Sequence, residues 1–171
     1  VVFSNTGLDD SIYIVELIAF SEHGCADTIY DTITVFPNPV AQFNAPFTID
    51  CAPFVLDSNL ITGVDFPTAN DNYTWLADGV VIGNGLSFPG YTIPFDGDTV
   101  AISLVATNIE GCSPDTFTLD FITIEDPVAN FSLNPQAGCS PLLVNAIDSS
   151  TPGVTWAWYS DGVLTDTVQN P

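Results

Sequence analysis

Residues 99–124 read TVAISLVATNIEGCSPDTFTLDFITI. From Thr99 to Thr107, Val100, Ile102, Leu104 and Ala106 alternate with Thr99, Ala101, Ser103, Val105 and Thr107, the period-two pattern of a strand with one buried face. The segment TN-x-x-GC at 107–112 supplies a turn, and 115–124 is again rich in Thr, Phe and Ile. The stretch therefore predicts two long antiparallel strands joined by a hairpin. A second version precedes it, SIYIVELIAFSEHGCADTIYDTITV at 11–35, in which Tyr13, Val15, Leu17 and Ala19 stand 87 positions before Val100, Ile102, Leu104 and Ala106. Gly24-Cys25 lies 87 positions before Gly111-Cys112, and the later copy carries one extra residue before its Asp-Thr.

Other blocks return at 88 positions: CAPFVL at 51–56 as CSPLLV at 139–144, and VAQF at 40–43 as VANF at 128–131. Self-similarity at a fixed period marks a tandem repeat. One whole repeat, 39–126, is flanked by the back half of a repeat at 1–38 and the front half of another at 127–171. Boundaries inside repeats are expected of a piece cut from a longer chain. Within the whole repeat, strands are predicted near 40–46, 53–59, 72–77, 79–83, 86–93, 98–107 and 115–124. Seven short strands in under ninety positions, with thirteen Pro and twelve Gly along the chain and no helical periodicity, predict an all-β protein of tandem immunoglobulin-like sandwiches. Trp75 and Trp158 are each followed three residues on by Asp-Gly, at Asp78-Gly79 and Asp161-Gly162, a tight hairpin turn in which Gly tolerates positive φ. Both tryptophans are expected between the sheets.

The chain has 171 residues, 46% of them hydrophobic and 12% aromatic, which suits packed cores. Its 21 Asp and Glu face no Lys or Arg, so the formal charge is −21. Nucleic acid and anionic membrane are disfavoured as partners by repulsion. Without Lys there is no Schiff base or lysine isopeptide, and without Arg no bidentate clamp on phosphate, which removes most nucleotide chemistry. Trypsin has no cleavage site. No run of eighteen apolar residues predicts a membrane span, and no signal peptide opens the sequence.

The opening VAQF and VANF, the block GCSPLLV at 138–144, the Trp followed by Asp-Gly, VQNP at 168–171 and the hairpin TN-x-x-GC-x-x-DT at 107–116 together resemble the PKD (polycystic kidney disease) domain repeats of large secreted surface proteins of Bacteroidota. The family's WDFGDG stands here as WLADG and WYSDG, a divergent version. The resemblance implies seven-stranded sandwiches used as spacer or adhesion modules on the cell surface, outside the bacterial outer membrane. It further implies giant adhesins, gliding-motility adhesins among them, exported by type IX secretion. The expected partners are neighbouring repeats of the same chain, secretion or motility machinery, and a glycan or surface ligand elsewhere in the protein. The implied function is a structural stalk or adhesion segment. The alternative, from another class, is a carbohydrate-binding accessory module of a secreted hydrolase, which requires an exposed aromatic row; Tyr73, Tyr91, Phe88 and Phe95 are its candidates.

Four single cysteines, Cys25, Cys51, Cys112 and Cys139, lack the paired spacing of a zinc site. In an immunoglobulin-like sandwich Cys51 falls at the exit end and Cys112, in the last hairpin, at the entry end, separated by a strand of roughly 30 Å at ~3.3 Å per residue. A disulfide needs Cα atoms within about 7 Å. Interdomain staples are therefore expected, Cys51 bonding the hairpin cysteine of the following repeat and Cys112 the first-loop cysteine of the preceding one. A bond between Cys51 and Cys112, or free thiols, are the alternatives. Either disulfide calls for an oxidising, extracytoplasmic setting.

Asp96 and Asp98 flank Gly97 and are weak calcium candidates beside Asp9, Asp10, Asp65 and Asp71, although a solvated turn explains them as well. No cofactor and no catalysis are expected: the sole His, His23, aligns with Glu110 in a turn, and no base stands ready for a nucleophile. Asp-[Ser/Thr]-aliphatic tripeptides begin at Asp10, Asp27, Asp31, Asp98 and Asp166 and resemble the O-glycosylation signal of Bacteroidota envelope proteins, with Ser11 and Thr99 as candidate acceptors. Asn72-Tyr73-Thr74 and Asn130-Phe131-Ser132 fit the N-glycosylation sequon by chance composition.

Overall fold

The computed structural model describes residues 1–64, 71–151 and 155–171. The described residues form strands and connections, with no helix. Thirteen strands follow in order: β1 (Ser11–Phe20), β2 (Ala26–Val35), β3 (Ile49–Cys51), β4 (Phe54–Leu56), β5 (Asp71–Ala77), β6 (Val80–Asn84), β7 (Tyr91–Ile93), β8 (Thr99–Asn108), β9 (Asp115–Ile124), β10 (Phe131–Asn134), β11 (Asn145–Asp148), β12 (Trp158–Ser160) and β13 (Val163–Asp166).

The middle of the chain is β-sandwich-like. Strands β3-β9-β8-β5-β6 make a five-stranded sheet in which β3 runs parallel to β9, and β4 pairs antiparallel with β7 in a second, two-stranded sheet. Period-two alternation dictates the layer between them: Val100, Ile102, Leu104 and Ala106 on β8 are buried, and so are Tyr73, Trp75 and Ala77 on β5. They meet Phe54 and Leu56 of β4, Ile93 of β7 and Phe121 of β9 in one core. Trp75 is completely buried, tilted against Phe43 (ring centroids 5.0 Å) and edge-on to Phe88 (5.1 Å), and its indole N–H donates to the Gly85 carbonyl at 3.0 Å. A buried Trp requires such an acceptor, because a bare N–H away from water is expensive.

Three predicted strands differ. The one expected at 53–59 is cut to Phe54–Leu56, because the Asp57 carboxylate accepts the N–H groups of Asn59 and Leu60 and turns the chain. The segment 40–46 forms only a single bridge, Asn44 with Thr62, although Ala41 and Phe43 enter the core; edge pairing begins instead at Ile49, beyond Pro46, which has no N–H to give a ladder. The expected strand at 86–93 is shortened to Tyr91–Ile93, since Pro89-Gly90 interrupts it and Gly90 takes φ +92°.

The sequence recurrences have geometric counterparts. Asp78 and Asp161 both take φ +48° and Gly79 and Gly162 both +78°, the left-handed pair of a type I′ turn. The indole of Trp158 donates to the Val168 carbonyl at 2.8 Å, ten residues ahead like Trp75 to Gly85, and Phe131 lies edge-on to Trp158 at 5.3 Å as Phe43 lies beside Trp75. Hairpin β1–β2 pairs Ile12 with Thr34 where β8–β9 pairs Thr99 with Ile122.

The path of the chain places the ends of the sandwich. Asn108 donates its side-chain amide to the Pro37 carbonyl (3.2 Å) and Ala41 N–H donates to the Asp115 carboxylate (2.9 Å), so the chain arrives at the β8–β9 hairpin. It leaves after Ile124, paired beside Cys51 at the far end of the ten-residue strands β8 and β9.

Candidate functional site

Among the described residues, the features able to act on other molecules are sought at the two ends of the sandwich and on the open strands around it. Cys51 stands at the exit end, where it pairs with Ile124, and its thiol is held above the ordinary range by partial desolvation, by a hydrogen bond to Asp126 and by the charges of Asp126, Asp50 and Asp96. Surrounding carboxylates disfavour thiolate, so Cys51 is a poor nucleophile. Cys112 sits at the entry end, its N–H bound by the Asn108 side chain at 2.9 Å; Cys25 repeats this arrangement with its N–H on Ser21 Oγ at 3.1 Å. All four cysteines are unbonded. Between Cys51 and Cys112 runs β8, roughly 33 Å of strand at ~3.3 Å per residue, against the ~7 Å a disulfide spans.

The Asp96–Asp98 turn is exposed and organised by Thr123, a buried polar side chain. Its Oγ1 donates to the Phe95 carbonyl (2.6 Å) and accepts from Asp98 N–H (2.9 Å), which fixes the turn through the backbone, while Asp96 and Asp98 are both exposed. Among the described residues no three His, Cys, Asp or Glu converge as a metal group would need. Asp65 lies outside the described residues. His23 is exposed in the β1–β2 turn.

Of the modification candidates, Thr99 is exposed and Ser11 half-buried, each at a strand start. In three of the related tripeptides the aspartate accepts a hydrogen bond from the N–H of its own Thr, at Asp27-Thr28 (3.0 Å), Asp31-Thr32 (2.8 Å) and Asp166-Thr167 (2.7 Å). That is a local backbone device of Asp, independent of any modification. The four aromatics proposed as a glycan platform do not form a row: Tyr73 and Phe88 are buried, Tyr91 packs against the core, and Phe95 alone is exposed.

Sequence reasoning passed over two surfaces. The inner face of hairpin β1–β2 is open: Leu17 is 63% exposed, whereas its counterpart Leu104 is at 0%. The outer face is apolar too, with Ile12, Ile14, Ile18 and Phe20 exposed where β8 has Thr99, Ala101, Val105 and Thr107. The signal was present, since β1 is apolar at both parities. The second surface is in residues 127–171, where Pro127, Phe131, Asp148, Trp156, Trp158 and Tyr159 help line a cleft of about 360 Å³. Asp148 at its rim is drawn down to about 2 by the Ser150 hydroxyl and N–H, the Gln169 amide and the Trp156 indole, which donates at 2.9 Å.

No family model matches this chain, and neither does any curated protein. No helix of the described residues is long and apolar enough to cross a membrane.

Proposed function

We propose that this chain is a length of stalk: immunoglobulin-like, PKD-like sandwiches in tandem within a giant secreted adhesin, displayed outside the bacterial outer membrane for attachment or gliding and exported by type IX secretion. One observation carries the reading. The chain meets the sandwich at the β8–β9 hairpin and departs beside Cys51 at the opposite end, and sequence blocks of this unit recur before and after it. Such a path adds one strand length per repeat along a single axis, as quasi-one-dimensional arrays do. The strand order, β3-β9-β8-β5-β6 against β4-β7, supports the immunoglobulin-like description, with β3 as the parallel edge strand.

The function is mechanical. The Pro-containing junctions PNP at 37–39 and EDP at 125–127 limit hinge freedom because Pro fixes φ. Cysteines at both ends of the unit suit staples across junctions, Cys51 to the hairpin cysteine of the next repeat and Cys112 to the first-loop cysteine of the one before. The acidic surface keeps such rods apart. A glycan-binding accessory role has less support, since the aromatics it needs are mostly core.

Small-angle scattering of the dilute chain at low salt tests the stalk. A compact body of this length has a radius of gyration of roughly 16 Å; the rod gives a clearly larger value, and a value at the compact figure refutes it.

A further inference from the structure

The five-stranded sheet of the central sandwich has one face in the core, and alternation turns the other outward. Across the middle of that outer face Thr118 of β9, Ser103 of β8, Leu76 of β5 and Val81 of β6 stand in one row, and Ile122 pairs with Ile49 of β3 at the margin. Asp120 is the one carboxylate at an outward position of the five strands. Asp50, Asp71 and Asp115 pair with Thr123, Asn108 and Ala106 and so take the opposite parity. In a chain of charge −21 this side is nearly neutral. Its hydroxyls are also satisfied within the sheet: Ser103 Oγ and Thr118 Oγ1 share a hydrogen bond at 2.8 Å, and Thr74 Oγ1 donates to Asn84 Oδ1 at 3.0 Å. A polar group that keeps its partner costs little to take out of water. Apolar side chains occupy both margins, Ile49 and Ile122 beside β3 and Val81 on β6, all exposed.

We propose that two copies of this chain lie side by side through this face, sheet against sheet at about 10 Å, as aligned sheets pack. A two-fold axis between the faces, running along β8, sets the β3 margin of each copy against the β6 margin of the other, so that Ile49 and Ile122 meet Val81 and Leu76. Area and charge both select a second copy. Five strands about 4.8 Å apart and about eight residues long at ~3.3 Å each present about 600 Å², or about 1,200 Å² over both copies, the lower end of what a specific dimer buries. A basic partner finds a single carboxylate to meet here. For another acidic chain the neutral side is the favoured approach, because carboxylates repel it in other orientations.

The face looks sideways from the path of the chain, which arrives at the β8–β9 hairpin and leaves beside Cys51, so both junctions of the unit stay free. An axis along the strands keeps the two chains pointing the same way, and neighbouring stalks would be joined laterally at this unit. The contact does not depend on the chain being a stalk, since it uses the central sandwich alone. The carboxylates around the face still oppose it, so association strengthens with salt.

The test is sedimentation equilibrium in reducing buffer at roughly 0.5 M NaCl, where the screening length falls below about 8 Å. The wild-type chain is expected to pass from the mass of one chain towards that of two between about 10 μM and about 1 mM, and a one-chain mass throughout overturns the proposal. Ser103→Asp and Ser103→Lys each set like charges across the axis, so each alone should weaken the dimer at least about tenfold, while their equimolar mixture should regain it. Association that Ser103→Asp leaves unchanged, or a mixture no tighter than either variant, overturns it. Near-ultraviolet dichroism of the tryptophans reports that both variants keep the sandwich folded. Asp120→Asn leaves the core untouched, removes the remaining carboxylate of the face and should tighten the dimer about threefold; unchanged affinity places the contact elsewhere and overturns the proposal. A compact scattering radius of the dilute chain removes the stalk and leaves the dimer, whereas a rod that stays monomeric removes the dimer and leaves the stalk.

Discussion

Trp75 and Thr123 show how single residues set this fold. Trp75 fills the space between the sheets, and its N–H satisfies the carbonyl of Gly85, itself in a left-handed turn at φ +110°. Trp75→Ala is expected to cost about 3–5 kcal/mol, a large part of what a small domain has. Trp75→Phe should cost less, retaining ring volume but leaving the Gly85 carbonyl unpaired; urea unfolding followed by far-ultraviolet dichroism ranks the two. Thr123 ties the β7–β8 turn to β9 with both capacities of one hydroxyl. Thr123→Val keeps the shape and abandons two backbone groups, an expected loss of about 1–3 kcal/mol and a fall in Tm measurable by calorimetry. The Trp was legible in the sequence because large aromatics before an Asp-Gly turn have one place to go. Thr123 was not: on a Thr-rich strand nothing distinguishes the hydroxyl that faces inward to a loop carbonyl.

At the scale of elements, strands that combine strict alternation with length were legible, and strands that depend on a neighbour were not. β5, β8 and β9 match their predicted spans to within a residue, whereas β3 exists only because β9 offers it a parallel edge. Gly83 illustrates a further local constraint, since a Cβ there would come within 2.8 Å of the Pro89 ring folded over β6. Gly83→Ala should destabilise the β5–β6 edge, seen as faster amide exchange of its ladder. The β11 region carries a pH signature. The Asp148 carboxyl lies at about 2 in the folded chain, below its ordinary 3.8, so its stabilising contribution is present above about pH 4 and is lost as pH falls towards 2. The Trp156 indole, which donates to that carboxylate, should report the loss as a shift in its N–H resonance across that window, and Asp148→Asn should abolish the titration.

Across the whole molecule, 21 carboxylates without one Lys or Arg leave self-repulsion unrelieved. Raising NaCl from about 0.01 M to about 1 M contracts the screening length from ~30 Å to ~3 Å. The Tm of the central sandwich should therefore rise with salt, checked by calorimetry; a flat Tm would mean the charges are too far apart to matter. Calcium at equal ionic strength provides the control for specific binding at the Asp96–Asp98 turn, where an additional rise is the expectation from sequence and equality leaves screening alone.

The sequence alone determined the period, the all-β class, the turns and the inward face of each long strand, because alternation, Asp-Gly pairs and repeated blocks are local facts that survive without coordinates. Tertiary structure decided which aromatics are withdrawn into the core and where β3 finds its partner. It also showed which apolar strand residues lie exposed, since burial depends on residues far away in the chain.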